Sequence, residues 1–320
     1  MTTLTIDLSS IPPLEGKTAV VTATPLVPGG ASGIGLAAAK IMLQKGATVY
    51  ALDRQEPIEA VPGLKFRRCD VTSWSALRDV FDEMKQVHFA FANAGICDKS
   101  PESYYDDVYD NGNLQEPDYS MIDVNLKAVL NLVKLARHFM RKHQVQGSIV
   151  ITASSTGLVP EQSAPVYSST KFAVIGLVRT LRSVLIQENI TINAVAPFVT
   201  TTGMAPAEAM VPLKNLGVQT SPADFVGLAL VYSAVARQTR RVEAYGKETA
   251  ESILEDGRWN GRVILTLGDK YTEVEEEFSK SRSLWTGGEV LEGIRLQQAV
   301  LDFRHGGVAI KSNRPSNQLN

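Results

Sequence analysis

TAVVTATPLVPGGASGIGLAAAKIMLQKG, residues 18–46, reads as a short buried strand, a glycine-rich turn and a helix. Thr18 to Thr22 supply the strand. From Ser32 an alanine-rich run continues through Leu36, Ala37, Ile41 and Leu43 to Gly46, a helix stop. Between them lie Gly29, Ser32, Gly33, Ile34 and Gly35. Glycines that open a helix after a strand let backbone amides and the positive helix end approach a pyrophosphate.

The chain alternates strands and helices outward from there. Thr48 to Leu52 form a second strand that ends at Asp53. A carboxylate there accepts from both hydroxyls of an adenosine ribose and repels a phosphate, which favours NAD over NADP. Arg54, next in line, suits that phosphate, so NADP stays open. A third strand, Lys65 to Cys69, ends at Asp70 and Val71, and Thr72 or Ser73 caps the helix that follows. A fourth, Val87 to Phe91, runs into Asn93-Ala94-Gly95. Residues 97–118 are polar and long for a loop, and a helix is expected from about Tyr119 to Arg141 with Asn125 inside it.

Gly147 to Lys171 carries the chemistry. After the apolar run Ile149 to Ile151 comes Ser154, and then a helix opening near Tyr167. Tyr167 and Lys171 are four apart, so both emerge on one helix face. A free tyrosine, with a pKa of about 10, is a poor base, and a neighbouring ammonium favours the phenolate. The last strands are expected at 190–195 and 262–267, with Ser221 capping a helix between them. The fold class that follows is α/β, a doubly wound parallel sheet of Rossmann type in one domain.

The ordered set of glycine turn, Asp53, Asp70-Val71, Asn93-Ala94-Gly95, Asn125, Ser154, Tyr167-x-x-x-Lys171 and Pro197 to Thr202 resembles the short-chain dehydrogenase/reductase family, over roughly residues 15–270. The run Val195-Ala196-Pro197-Phe198-Val199-Thr200-Thr201-Thr202-Gly203 and the long tail are most similar to fungal members of secondary metabolism or to hydroxyprostaglandin dehydrogenases. The resemblance implies that Tyr167 is the acid/base on a substrate oxygen. Lys171 lowers the Tyr167 pKa and binds the nicotinamide ribose, Ser154 holds the substrate carbonyl or hydroxyl, and Asn125 holds a water in the relay behind Lys171. It assigns Gly29, Ser32, Gly33, Ile34, Gly35, Asp53, Asp70, Val71, Asn93, Tyr167, Lys171, Pro197, Thr200 and Thr202 to the cofactor. The activity implied is NAD(P)-dependent interconversion of a secondary alcohol and a ketone on a small, apolar metabolite. A homodimer or homotetramer is implied too, paired through the helices near Tyr119 and Tyr167.

One departure bears on all of this. Thr22 is followed by Ala23-Thr24-Pro25-Leu26-Val27-Pro28 before Gly29, where the family runs directly into glycine. Two prolines prevent these residues from extending the ladder or the helix. Three explanations stand: a bulge that leaves the turn working, an occluded cofactor site in a non-redox isomerase, cyclase or ligand-binding protein, or an incorrectly joined coding sequence. Phe198 and Ala92 are smaller departures, for a common glycine and a common asparagine.

The expected organisation is a loosely held arm at 1–16, the main domain at 17–270 with a substrate lid at about 203–219, and an extension at 271–320. A formal net charge of −2 with dispersed basic residues gives no nucleic-acid footprint. Two cysteines and four histidines without ligand spacing point to a reduced, metal-free protein. No run approaches the length of a membrane span, so a cytoplasmic location is expected.

Overall fold

The structure is a computed structural model that describes residues 2–23, 33–57, 60–97, 104–202, 211–213, 215–242, 249–302 and 304. Gly29, Ser32, residues 24–28 of the inserted segment, and positions 203–210 and 214 of the expected lid lie outside the described residues.

Among the described residues nine strands make the main sheet: β1 (Thr2–Leu4), β2 (Thr18–Thr22), β3 (Thr48–Asp53), β4 (Lys65–Arg68), β5 (Phe89–Ala92), β6 (Gly147–Thr152), β7 (Ile190–Pro197), β8 (Val263–Leu267) and β9 (Lys270–Glu273). Their order is β1-β9-β8-β7-β6-β5-β2-β3-β4. From β4 to β8 all neighbours are parallel, and β9 and β1 add two antiparallel steps at one edge.

Both faces of the sheet are covered, which explains why its central strands read as unbroken apolar runs. Val20, Ile149 and Ile151 face a core built with α2 (Trp74–Met84), α3 (Ala128–Lys142) and α4 (Pro165–Leu185). Ala19, Val21 and Val150 face the other core, against α1 (Ile34–Gln44) and α5 (Ala223–Val235). Burying a side chain of this size contributes about 1.5–3 kcal/mol, so the alternation fixes which face each residue takes.

Three local expectations are corrected. The arm is not loose: β1 pairs with β9, and Ile6, Ile11 and Leu14 are buried in the second core. The sheet also runs past residue 270, because β9 places Tyr271 and Glu273 in the interior. Ser221 does not cap α5. The N-cap is Pro222, and the Ser221 hydroxyl donates instead to the Gly268 carbonyl at 2.8 Å, while Ser221–Pro222 pairs with Thr200–Thr201. Of the two caps expected for α2, Thr72 or Ser73, the cap is Ser73, which accepts from the Ala76 N–H at 3.3 Å.

Candidate active site

The strand order reverses between β2 and β5: β3 and β4 lie on one side of β2, and the chain then crosses to β5 on the other. In open α/β sheets ligands bind beyond the carboxyl ends of the strands at such a reversal. Most of the residues singled out from sequence gather at that end. Thr22, Asp53, Asn93, Ser154 and Pro197 close or follow β2, β3, β5, β6 and β7.

Ser154 is buried and begins a 3-10 turn, Ser155–Gly157. Its hydroxyl accepts from the Thr156 N–H at 3.2 Å and shares a hydrogen bond with the Tyr167 phenol. Pro165 stands in the first turn of α4, where a missing N–H costs nothing, so the helix starts two residues before Tyr167. One turn on, the Lys171 ammonium lies 5.4 Å from the centre of the Tyr167 ring and donates to the Thr152 carbonyl at 2.9 Å.

Electrostatics here depart from the sequence-based expectation. Burial pushes the Tyr167 phenol up to about 12; the Ser154 hydrogen bond pulls it down and Cys97 pushes it further up. Burial likewise pushes Lys171 down to about 8. Desolvation of both charged forms therefore outweighs the expected help of the ammonium, and the phenol keeps its proton at neutrality.

Asn125 is fully buried and sits where the helix is not α-helical. Ser120–Ile122 leads into a π segment, Asp123–Lys127, before α3 proper. Such one-turn bulges recur at functional sites. Here the Asn125 amide faces the chain after β5: Oδ1 accepts from the Ile96 N–H and Nδ2 donates to the Ile96 carbonyl, both at 2.8 Å. A Cβ on Gly95 would lie 3.4 Å from Asn125 Oδ1 and 3.6 Å from Lys171 Nζ, so Gly95 fills the narrow space between them.

At the crevice, Gly33 is the N-cap of α1 and makes no side-chain cap, and Ile34 opens the helix. The next residue, Gly35, packs so closely that a Cβ would stand 2.5 Å from Asn93 Nδ2. The buried Asp53 carboxylate accepts from the Gln55 N–H at 3.0 Å, and burial raises it to about 6. The Asp70 carboxylate accepts from the Thr72 N–H and hydroxyl, while Val71 belongs to the first core. Thr200 pairs with Ser221, and Thr202 follows it.

The family model for short chain dehydrogenases matches residues 23–210. The chain is 95% identical over 320 residues to the short-chain dehydrogenase/reductase ATR7 of Stachybotrys chlorohalonatus (strain IBT 40285), with the whole of both chains covered. It is 47% identical over 307 residues to the short-chain dehydrogenase/reductase prx4 of Penicillium rubens, covering 95% of this chain and 90% of that one. The protein belongs to the short-chain dehydrogenase/reductase family. A solved family structure, a putative NAD(P) dependent gluconate 5-dehydrogenase from Beutenbergia cavernae with bound NADP, superposes with a TM-score of 0.57 at 25% identity, over 68% of this chain and 89% of that one.

The match to the family model begins at Ala23, where β2 has just ended and the inserted segment starts. Thr22 has a role at the site that its place in the sequence does not mark. Its hydroxyl accepts from the N–H groups of Asn93 and Ala94, both at 3.0 Å, and donates to the Phe91 carbonyl at 3.3 Å. A threonine closing a buried strand was the available signal. Thr22→Val leaves the buried Ala94 N–H and the part-buried Asn93 N–H without this acceptor and is expected to cost about 1–3 kcal/mol, read as a lower urea midpoint.

Proposed function

We propose that this family member is an NAD-dependent oxidoreductase, with NADP a possible substitute, that interconverts a secondary alcohol and a ketone on a small, apolar metabolite. The observation that carries this reading is the Ser154–Tyr167 hydrogen bond with Lys171 one turn below, at the carboxyl edge where the strand order reverses.

The residues present fit a dinucleotide. The first-turn amides of α1 have no side-chain cap at Gly33, which suits a pyrophosphate. Asp53 would take the adenosine ribose, Asp70 and Val71 the adenine, Asn93 the floor of the cleft, Lys171 the second ribose, and Pro197, Thr200 and Thr202 the carboxamide side. When bound, the nicotinamide supplies the hydride donor or acceptor.

The chain's own part is to bind, orient and move one proton. Ser154 holds the substrate oxygen beside the Tyr167 hydroxyl. In reduction Tyr167 donates its proton to that oxygen as the carbonyl becomes an alcohol; in oxidation the phenolate takes the proton back. Lys171 steadies the phenolate that forms, and Asn125 supports Lys171 across Gly95. Hydride transfer, followed as nicotinamide absorbance with a panel of secondary alcohols and ketones, tests the reading. No turnover with NAD or NADP, together with no cofactor-induced rise in melting temperature, would sink it.

Asp53 makes the reading pH-dependent. Its carboxyl accepts from both ribose hydroxyls as a charge-assisted pair when ionised, and loses that strength on protonation; burial holds it at about 6. NAD is therefore expected to bind about tenfold more weakly at pH 5 than at pH 7, from the ionised fraction alone. Asp53→Asn should bind weakly at both, and an unchanged pH profile in that variant would remove Asp53 from the ribose site.

Pairing of two copies is part of the proposal. Tyr119, Ile122, Leu130 and Phe172 are exposed apolar residues on the segments before and along α3 and on α4. Tyr104, Tyr119, Ile122, Leu126, Pro165 and Val166 help line a cavity of about 270 Å³ on the same side.

A further inference from the structure

The connection from α5 to β8, running from Val235 to Val263, is far longer than the roughly 2–6 residues usual between such elements. Its described parts form a two-stranded ribbon, Arg237–Gln238 with Gly257–Arg258, and a short helix, Ala250–Ile253. With the last turn of α4 and with Arg304 it walls a cavity of about 530 Å³. That volume falls in the range of small-molecule sites, roughly 300–1,000 Å³.

This cavity lies at the opposite end of the sheet from Tyr167. Arg258, one of its walls, donates to the carbonyls of Gly147 and Asn189, where β6 and β7 begin. At about 3.3 Å per residue, β7 puts the catalytic end roughly 25 Å away.

Four arginines line the cavity, Arg182, Arg241, Arg258 and Arg304, and among the described residues no carboxylate does. Arg182 pairs with Glu275, Arg241 with Glu255 and Arg304 with Asp302. Arg258 has no ion pair among the described residues; its donors meet two carbonyls and the Thr191 hydroxyl. Burial pushes its guanidinium down to about 10, the direction of a cation held from water without a counter-charge. Ser183, which lines the same cavity, is 3% exposed, and its hydroxyl has no hydrogen-bond partner among the described residues. A buried hydroxyl left unmatched is uncommon and costs free energy.

One kind of ligand answers both groups: an oxyanion accepts from the serine hydroxyl and neutralises the arginine. Guanidinium groups in fork geometry favour phosphate oxygens, and the space exceeds what a bare ion needs. We propose that this cavity is a second ligand site that takes a phosphate group, free or carried on a small metabolite, remote from the reacting centre.

Calorimetric titration with inorganic phosphate at constant ionic strength tests it. Saturable binding is expected, weakened at least fivefold by Arg241→Gln and by Ser183→Ala, and unchanged by Arg54→Gln at the cofactor end. Arg258→Gln removes two backbone anchors and is expected to unfold more easily, so the half-exposed Arg241 carries the test. Ribose 5-phosphate binding more tightly than phosphate assigns an ester, and the reverse order assigns the free ion. No saturable binding of either, or binding that Arg54→Gln weakens while Arg241→Gln does not, overturns the proposal.

Discussion

Tyr167→Phe is expected to lower turnover by about 10²–10⁴-fold while leaving the fold intact. The substitution removes one oxygen and keeps the ring, so the cation–π contact with Lys171 at 5.4 Å survives and the α4 packing is unchanged. What is lost is the phenol oxygen that meets Ser154, the group proposed to hand a proton to the substrate oxygen. Single-turnover absorbance with saturating cofactor reads the effect in the hydride step itself. Turnover that survives undiminished would remove Tyr167 from the acid/base role. The companion variant Ser154→Ala should raise KM and lower kcat together, because it leaves the acid in place and loosens the substrate's hold.

Glu275→Ala should destabilise the fold by roughly 3–5 kcal/mol, the usual cost of breaking a buried ion pair from one side. Glu275 is 1% exposed, and its carboxylate meets Arg179 at 2.7 Å and Arg182 at 3.0 Å. Arg182 is itself 2% exposed; burial is the first cause of its lowered pKa, and the Glu275 charge opposes that shift. Without the carboxylate the Arg182 cation loses its counter-charge in a poorly hydrated place, next to the partly exposed Arg179. The exposed Arg67–Glu83 pair is the control: Glu83→Ala should change stability by less than about 1 kcal/mol. Urea unfolding of both variants separates the cases, and equal midpoints would show that the buried cluster contributes no more than the surface one.

That cluster was not legible in the sequence. Arg182 lies in a helix among leucines, Glu275 in an acidic run, and Arg262 beside a strand, and no spacing rule joins them. Arg262 pairs with Glu273 at 3.2 Å only because β9 returns alongside β8. β1 and β9 are short and mixed in character, so their pairing depends on tertiary contact more than on local preference. The π segment at Asn125 was hidden for another reason: apolar residues on either side keep helical spacing, and the extra residue shows only as a shift in which face is buried. By contrast, the long apolar strands and the short distance in sequence from Ser154 to Lys171 made the parallel sheet and the core of the site readable. Those features are local or periodic. Asp53 was readable as well, because a strand end is a place that sequence marks; its raised pKa was not, since burial belongs to the folded state.

The β1–β9 pairing also sets a time order on folding. Thr2 finds its partner at Glu273, so β1 must wait for a segment that is synthesised much later. Closing so long a loop costs entropy before any contact returns it, and contacts of this kind slow folding. On the ribosome the parallel core from β2 to β7 is complete while β1 still has an open edge and Ile6 and Ile11 lie near it. A chain stopped before residue 270 would therefore keep its Rossmann core and yet carry an unpaired β1, the kind of edge that recruits other chains.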